Sequence, residues 1–252
     1  MTAIGSNSAQ DYLKLEVAAA TRLLVMEDLL DYSGHLSARI PGEDAYVIQP
    51  GTDPRSDVEP ERLITVDFDG NILSHHGHGN VLRPPVEIPI HGEIYKARPD
   101  VHAVLHSHME MPIWFTMMEG VQLAPMRPRA IRWQSGIASN ADPSHIKSQE
   151  QGAQLARDLG PHHACLLRAH GSVLTAESVP ALFVDAVHFA ENARALLQVL
   201  QAGQKPLPLT AEEMEQVNKT DMREFHNAKL WTYYRNKARK AGVLPTGWDL
   251  GA

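Results

Sequence analysis

The 252-residue chain contains one cysteine, Cys165. A single thiol excludes an internal disulfide framework and suits a reducing compartment, so a cytoplasmic location is expected. Cys165 lies in the apolar run ACLLRAHG, the setting of a buried structural thiol rather than a nucleophile. Long basic runs are absent too. The formal net charge is −7, and the short basic stretch YYRNKARKAG reads as a solvated helix face. Nucleic acid is therefore not an expected partner. No segment approaches the roughly 20 apolar residues that cross a bilayer. The N-terminus shows no basic region followed by an apolar core and a small-residue cleavage site. Neither a secretory leader nor a membrane partner is expected.

What is present fits a soluble globular chain. Hydrophobic residues make up 43% and charged residues 21%, enough apolar content for a sizeable core. Residues 1–8 read as a loose tail. Residues 9–252 show no internal repeat and no linker-like composition, which predicts a single domain there. Apolar spacing from Ala9 onward predicts a helix that stops by Gly34. HLSARI and DAYVIQP predict a hairpin, and RLITVDFDGNIL a second one with Asp69-Gly70 at its turn. GHGNVLRPP reads as a loop, and a helix starts near Pro89, since proline is tolerated in a first turn. VHAVLHSH, residues 101–108, predicts a strand, and residues 109–120 a helix. The stretch 121–147 reads as irregular, and 148–160 as a helix that Gly160 ends. ACLLRAHGSVLTA reads as two strands meeting at His170-Gly171. Residues 178–203 form the longest predicted helix, and 210–242 read as helical throughout. Helices around a mixed or antiparallel sheet follow.

The unusual feature is histidine. There are fourteen, grouped at 75–78, 91–108 and 162–170. In AVLHSHME, residues 103–110, His106 and His108 close an apolar run. On a strand, residues two apart share a face, with Cα atoms about 6.6 Å apart. Both imidazoles could then converge on one ion at Zn–N distances of about 2.0–2.1 Å. The plainer reading is two solvated histidines where a buried strand reaches water. A metal would need a third ligand. His170 is a candidate, because it ends another apolar strand just before a glycine that lets the backbone turn. His75, His76, His78 and His102 read as structural or surface residues, and His162 and His163 as surface residues. Glu87 comes just before an apolar helix, where a carboxylate complements the helix dipole. Beside a metal, the same group would serve as general acid or base. Glu93, inside the helix, takes the plain role.

The segment PPVEIPIHGEIYKARPDVHAVLHSHM, followed further along by LLRAHGSVLTA, resembles the class II aldolase/adducin-like family. That family includes L-fuculose-phosphate aldolase, L-ribulose-5-phosphate 4-epimerase and several decarboxylases. The resemblance runs through residues 10–235 and is strongest over 84–110. It implies an α/β fold, a three-layer α/β/α arrangement around a central, mostly antiparallel sheet. It also implies one divalent metal ion per subunit, with His106, His108 and His170 as ligands and Glu87 as catalytic acid/base. Zn2+ suits three imidazoles, and Mn2+ or another first-row ion is also compatible. His91 matches a histidine common in the family, which either supports the metal site, touches substrate or is structural. Members typically assemble as homo-oligomers, commonly tetramers, with active sites between subunits. The aldolases bring a C-terminal tyrosine into a neighbouring subunit's site. Tyr233 and Tyr234 in LWTYYRNKA are the corresponding candidates, although aromatics so spaced also cover cores and interfaces.

The chain departs from the sugar-phosphate members at the phosphate cradle. Those members use a Gly-Asn, a Thr-Gly turn and a Ser-Ser pair before the catalytic Glu. The corresponding places here read Gly34-His35, Gln49-Pro50-Gly51 and Pro85-Val86. Pro85 has no N–H to offer and Val86 no hydroxyl. A small-molecule carboxylate is therefore the expected substrate, and decarboxylation of a hydroxylated aromatic or pyridine acid the expected reaction. A second carboxylate on it would need cations or donors. Arg55 and Ser56 lie on the loop that replaces the phosphate turn, and His35 replaces the phosphate-contacting Asn; all three are substrate-binding candidates. Arg127, Arg129 and Arg132 are further cations that surface solvation also explains. The alternatives are an aldolase or epimerase acting on a small hydroxy-carbonyl compound, and a non-catalytic scaffold like adducin. The presence of Glu87, His106, His108 and His170 together weighs against the scaffold.

Overall fold

A computed structural model describes residues 9–74 and 82–251. The tail expected at 1–8, and His75, His76 and His78, lie outside the described residues. Eight strands form one sheet: β1 (His35–Arg39), β2 (Ala45–Ile48), β3 (Ile64–Asp67), β4 (Ile72–Ser74), β5 (Ala103–Ser107), β6 (Ala138–Asn140), β7 (Ala164–Leu167) and β8 (Gly171–Ala176). Their spatial order is β4-β3-β2-β1-β5-β8-β7-β6. Every neighbouring pair is antiparallel except β6–β7. The sheet is mixed and mostly antiparallel.

Among the described residues seven helices surround it: α1 (Ala9–Met26), α2 (Pro89–Ala97), α3 (Glu110–Trp114), α4 (Gln149–Leu159), α5 (Val179–Gln201), α6 (Ala211–Asn218) and α7 (Arg223–Lys240). Strand alternation decides which helices meet which face. Ala103 and Leu105 of β5 join a core with Leu23 and Leu24 of α1 and Phe183 and Phe189 of α5. Val104, between them, joins a second core with Ile90 and Ile94 of α2 and Leu155 and Leu159 of α4. This makes three layers. Cys165 belongs to the second core, and burial pushes its thiol up to about 12, so it remains a protonated packing residue. No helix among the described residues is long and apolar enough to cross a membrane.

Local chemistry sets the boundaries. Pro89 occupies the first turn of α2, where its missing N–H costs no helical hydrogen bond. Ser148 and Gln151 form a capping box at the start of α4, and the Ser178 hydroxyl caps α5. Each such cap is worth about 1 kcal/mol.

Three expectations differ from the structure. The helix expected over 109–120 is only Glu110–Trp114. The Thr116 hydroxyl donates to the Ile113 carbonyl at 2.6 Å and accepts the Ala169 N–H at 2.9 Å. That local bonding competes with further helical turns. The irregular stretch 121–147 contains β6, which pairs with β7 and donates through Asn140 to Asp158 of α4. The continuous helix expected over 210–242 is two helices, with a turn at Lys219-Thr220 between them.

Candidate metal centre

The antiparallel sheet gathers the histidines by aligning strand ends. Register pairs His35 with His106 across β1 and β5, and Ser107 with Ser172 across β5 and β8. The beginning of β1, the end of β5 and the beginning of β8 therefore lie side by side. His106 shares the parity of Val104 and points to the α2 face, where Glu87 stands just before that helix. His108 lies one residue past the end of β5. His170 closes the turn from β7, helped by Ala169 at φ 54°.

One ligand atom each from Glu87, His106, His108 and His170 falls within 4.8 Å of all the others. The two Nε2 atoms of His106 and His108 are 3.1 Å apart. Two imidazole nitrogens bound tetrahedrally to one ion at about 2.1 Å would stand about 3.4 Å apart. Glu87 Oε2 lies 3.3 Å from His106 Nε2 and 3.5 Å from His170 Nε2. Gly171 makes this convergence possible. A Cβ there would meet the Ser107 carbonyl at 2.7 Å and the rings of His106 and His108 at 3.0 and 3.1 Å.

Proton positions show that the cluster fits a cation. His106 Nδ1 lies 3.2 Å from the Ser172 carbonyl, which can only accept, so Nδ1 carries the proton. His108 Nδ1 lies 3.0 Å from the Asp31 carboxylate and donates in the same way. A ring with its one proton on Nδ1 has Nε2 bare, and the two Nε2 atoms face each other. His170 adds two buried ring nitrogens with no hydrogen-bond partner. Three inward nitrogens beside a carboxylate oxygen are a donor set for a divalent ion. Burial lowers the His106 pKa despite the opposing pull of Glu87, which keeps its ring neutral and able to ligate.

Around these groups lies a supporting layer. The Asp31 carboxylate accepts N–H bonds from Ser33 and Gly34 at 2.9 and 2.8 Å, and so presents a fixed oxygen to His108. Such partners orient ligating imidazoles and commonly govern about 10–100-fold in metal affinity. Asp31→Asn is accordingly expected to weaken metal binding by about 10–100-fold, read by competition with a chromogenic chelator. An unchanged affinity would remove Asp31 from the site. Glu87 is fixed from the other side by the Ile146 N–H, 2.9 Å from Oε1. Burial alone would raise its pKa. His106 and His170, in the forms that carry a proton on Nε2, and the Ile146 N–H oppose burial and lower it.

The remaining candidates separate. His35 lines the cavity at the cluster, and His91 stands behind it, fully buried. Their nitrogens meet at 2.6 Å, and His91 continues through Ser37 Oγ at 2.6 Å to the Tyr95 hydroxyl at 2.7 Å. Burial first, then His106, takes His91 down to about 3, so it is a neutral orienting group and does not reach the cavity. Arg55 lines the cavity. Ser56 does not; its hydroxyl is exposed and donates to Asp57 at 2.6 Å. Tyr234 packs its ring on Phe183 of α5 at 5.1 Å and Tyr233 is exposed. The structure brings neither into the cavity of its own chain. Arg127, Arg129 and Arg132 pair with Glu191, Asp221 and Asp185, away from the cluster. His163, expected at the surface, is half-buried with its Nδ1 unpartnered, and burial brings it to about 4.

Sequence reasoning missed Asp31, Tyr32, Arg83, His145 and Lys147. The last four line the cavity, and His145 Nδ1 lies 3.6 Å from Glu87 Oε2. The D-Y-S-G turn signal around Asp31 was readable. Nothing in the irregular stretch pointed to His145 or Lys147.

A layered fold with a three-histidine, one-glutamate cluster at aligned strand ends that could hold a metal ion defines the class, an α/β protein. Residues 15–197 match the family described as Class II Aldolase and Adducin N-terminal domain, and the chain belongs to it. This places it in a family of metal-dependent lyases. It is similar to 3,4-dihydroxyphthalate decarboxylase of Arthrobacter keyseri, 27% identical over 74% of this chain and 78% of the relative. The protein of the same name from Rhodococcus jostii is 28% identical over 75% of this chain and 81% of its own. In fold it resembles L-fuculose 1-phosphate aldolase from Glaciozyma antarctica, with a TM-score of 0.79 and 19% identity over 95% of both chains.

Proposed function

We infer that the protein is a divalent-metal-dependent decarboxylase of aromatic or heteroaromatic acids bearing a hydroxyl beside the carboxylate. In this reading residues 9–252 act as one domain in a cytoplasmic homo-oligomer, a tetramer with sites between subunits. Zinc is the first ion to test, ahead of manganese.

The observation that carries this reading is the cavity wall beside the histidines. Pro84, Pro85, Val86 and Tyr32 line a cavity of about 520 Å3, and Val86 and Tyr32 are 68% and 87% exposed. This wall is largely apolar, as an aromatic ring requires, and at Pro85 and Val86 it offers a phosphate neither a Pro85 N–H nor a Val86 hydroxyl. The two decarboxylases named above act, by their names, on a hydroxylated aromatic acid, which supports the same reading.

A divalent ion held by His106, His108 and His170 would supply Lewis acidity toward the substrate's carboxylate and neighbouring oxygen. Glu87 does the proton work. It starts ionised and takes the hydroxyl proton on Oε2, while the Ile146 N–H keeps Oε1 in place. It then returns that proton to the ring carbon carrying the carboxylate. The carbon–carboxylate bond breaks, its electron pair restores the aromatic ring, and CO2 leaves. Glu87 ends ionised, as it began.

The test is CO2 release by metal-reconstituted protein from a panel of ortho-hydroxy benzoates and pyridine carboxylates. Metal-dependent release from at least one is the expected result. No release from any, together with cleavage of hydroxy-ketones into aldehyde and ketone, would return the chain to the aldolases.

A further inference from the structure

Two walls of the cavity carry positive charge that nothing in the reaction above uses. The Gly51 N–H donates to the Arg83 carbonyl at 2.9 Å. A Cβ on Gly51 would stand 3.0 Å from the Pro84 carbonyl. The loop at 50–55 and the segment 83–86 are thereby one continuous wall. Arg55 is built into it, 3% exposed. Its Nε and Nη1 donate to the carbonyls of Gly34, Pro50 and Asp53 at 2.6, 3.0 and 2.6 Å. Those bonds fix the guanidinium without neutralising it. Lys147 enters from the other wall, one residue after the Ile146 N–H that holds Glu87.

Arg55, Arg83 and Lys147 all line the cavity, against Glu87 as the one carboxylate among its described lining residues. None of the three cations has a carboxylate partner among the described residues. Arg235, 2% exposed, is likewise held by carbonyls, those of Leu250 and Gly251, but it does not line this cavity, and the half-buried Arg132 and Arg223 pair with Asp185 and Glu177. Buried and half-buried charge is normally compensated. Arg55 is the buried member and has Asp53 and Asp31 nearby as well as its carbonyls, while Arg83 and Lys147 are exposed and open to what enters the cavity. An aromatic acid needs only one carboxylate and its neighbouring oxygen at the histidine cluster, so the cations lining the cavity are left for another anionic group on the same molecule.

We propose that Arg83 and Lys147, backed by Arg55, hold a second acid group of the substrate, which is therefore a dianionic planar ring acid. The inference rests on the decarboxylase reading and adds the residues that choose among its substrates. A phosphate would satisfy the same cations, but the apolar face of Pro84, Pro85 and Val86 between them favours a carboxylate carried on a ring.

Recognition can be measured without turnover. Phthalate, benzoate and phosphoglycolate lack the ring hydroxyl, so calorimetric titration of the metal-loaded full-length protein reads binding alone. Phthalate is expected to bind about tenfold or more tightly than benzoate, and to weaken as salt rises. In the double variant Arg83→Ala/Lys147→Ala that preference should vanish, with metal content unchanged. Both side chains are exposed, so the fold should be kept. Equal binding of phthalate and benzoate, or a preference surviving in the double variant, overturns the proposal. Phosphoglycolate bound more tightly than phthalate overturns the carboxylate assignment. A phthalate preference abolished in the double variant supports the proposal even if no panel member loses CO2, so a failure of the reaction assignment is seen separately.

Discussion

Replacing His108 with alanine is expected to empty the metal centre and abolish turnover. The cluster offers three imidazoles and one carboxylate, all mutually within 4.8 Å. A structural zinc site with four ligands is worth about 10–16 kcal/mol in all, so each ligand carries about 3–4 kcal/mol. Losing one should therefore cost about two to three decades of affinity. That exceeds the about 10–100-fold expected from its supporting carboxylate, Asp31. The fold should survive, because the His108 side chain is 20% exposed and packs at a strand end rather than within either core. The measurement is metal content by mass spectrometry after gel filtration, alongside the melting temperature of the metal-free forms. Wild-type protein should retain about one equivalent per chain, as a single three-imidazole site would. Full metal retention and full activity in His108→Ala would refute the centre. An equal loss of melting temperature in the metal-free variant would show that His108 acts through the fold.

How far this centre was legible in the chain depends on what each residue needed in order to meet the others. His106 and His108 needed only strand periodicity, and AVLHSH displays it, although His108 falls just past the strand. His170 needed a second strand end, which the apolar run before His170-Gly171 marks. The pairing of β5 with β8, which joins those two ends, is a non-local choice that no local pattern encodes. Recognition of the family motif bridged that gap. Asp31 is different: its turn is readable, but its contact with His108, 77 positions away, exists only once β1 lies beside β5. Arg55, which lines the cavity, and Ser56 are different again. The position of Arg55 on the loop suggested a free substrate contact, whereas three carbonyls already hold it, and Ser56 beside it faces outward. Adjacent residues in a short loop diverge in direction, and loop sequence alone does not say which one turns in. The tyrosines of α7 were chosen by position near the C-terminus, and packing of Tyr234 against Phe183 is what that position yields within one chain.

Glu87→Gln tests the chemistry rather than the metal. The amide has the shape of the carboxylate, so Oε1 can still accept the Ile146 N–H and the three imidazoles remain. Metal content is expected to stay near one equivalent. What the substitution removes is an ionisable carboxyl whose pKa its surroundings lower below the usual carboxylate range. That low pKa matters for the direction of proton flow: near neutral pH Glu87 is a base waiting for the hydroxyl proton, not a preloaded acid. A glutamine side chain can neither take that proton nor hand it to the ring carbon. Loss of a positioned general acid–base group typically costs about 10^2–10^4 in rate, so kcat should fall by that factor while the affinity for phthalate changes little. Turnover in D2O adds a second readout: wild-type protein should place deuterium on the carbon that loses CO2. A Glu87→Gln enzyme that keeps kcat within about threefold of wild type, outside the range of a lost acid–base group, would assign proton delivery to another group. His145, 3.6 Å from the same oxygen, would be the first to replace.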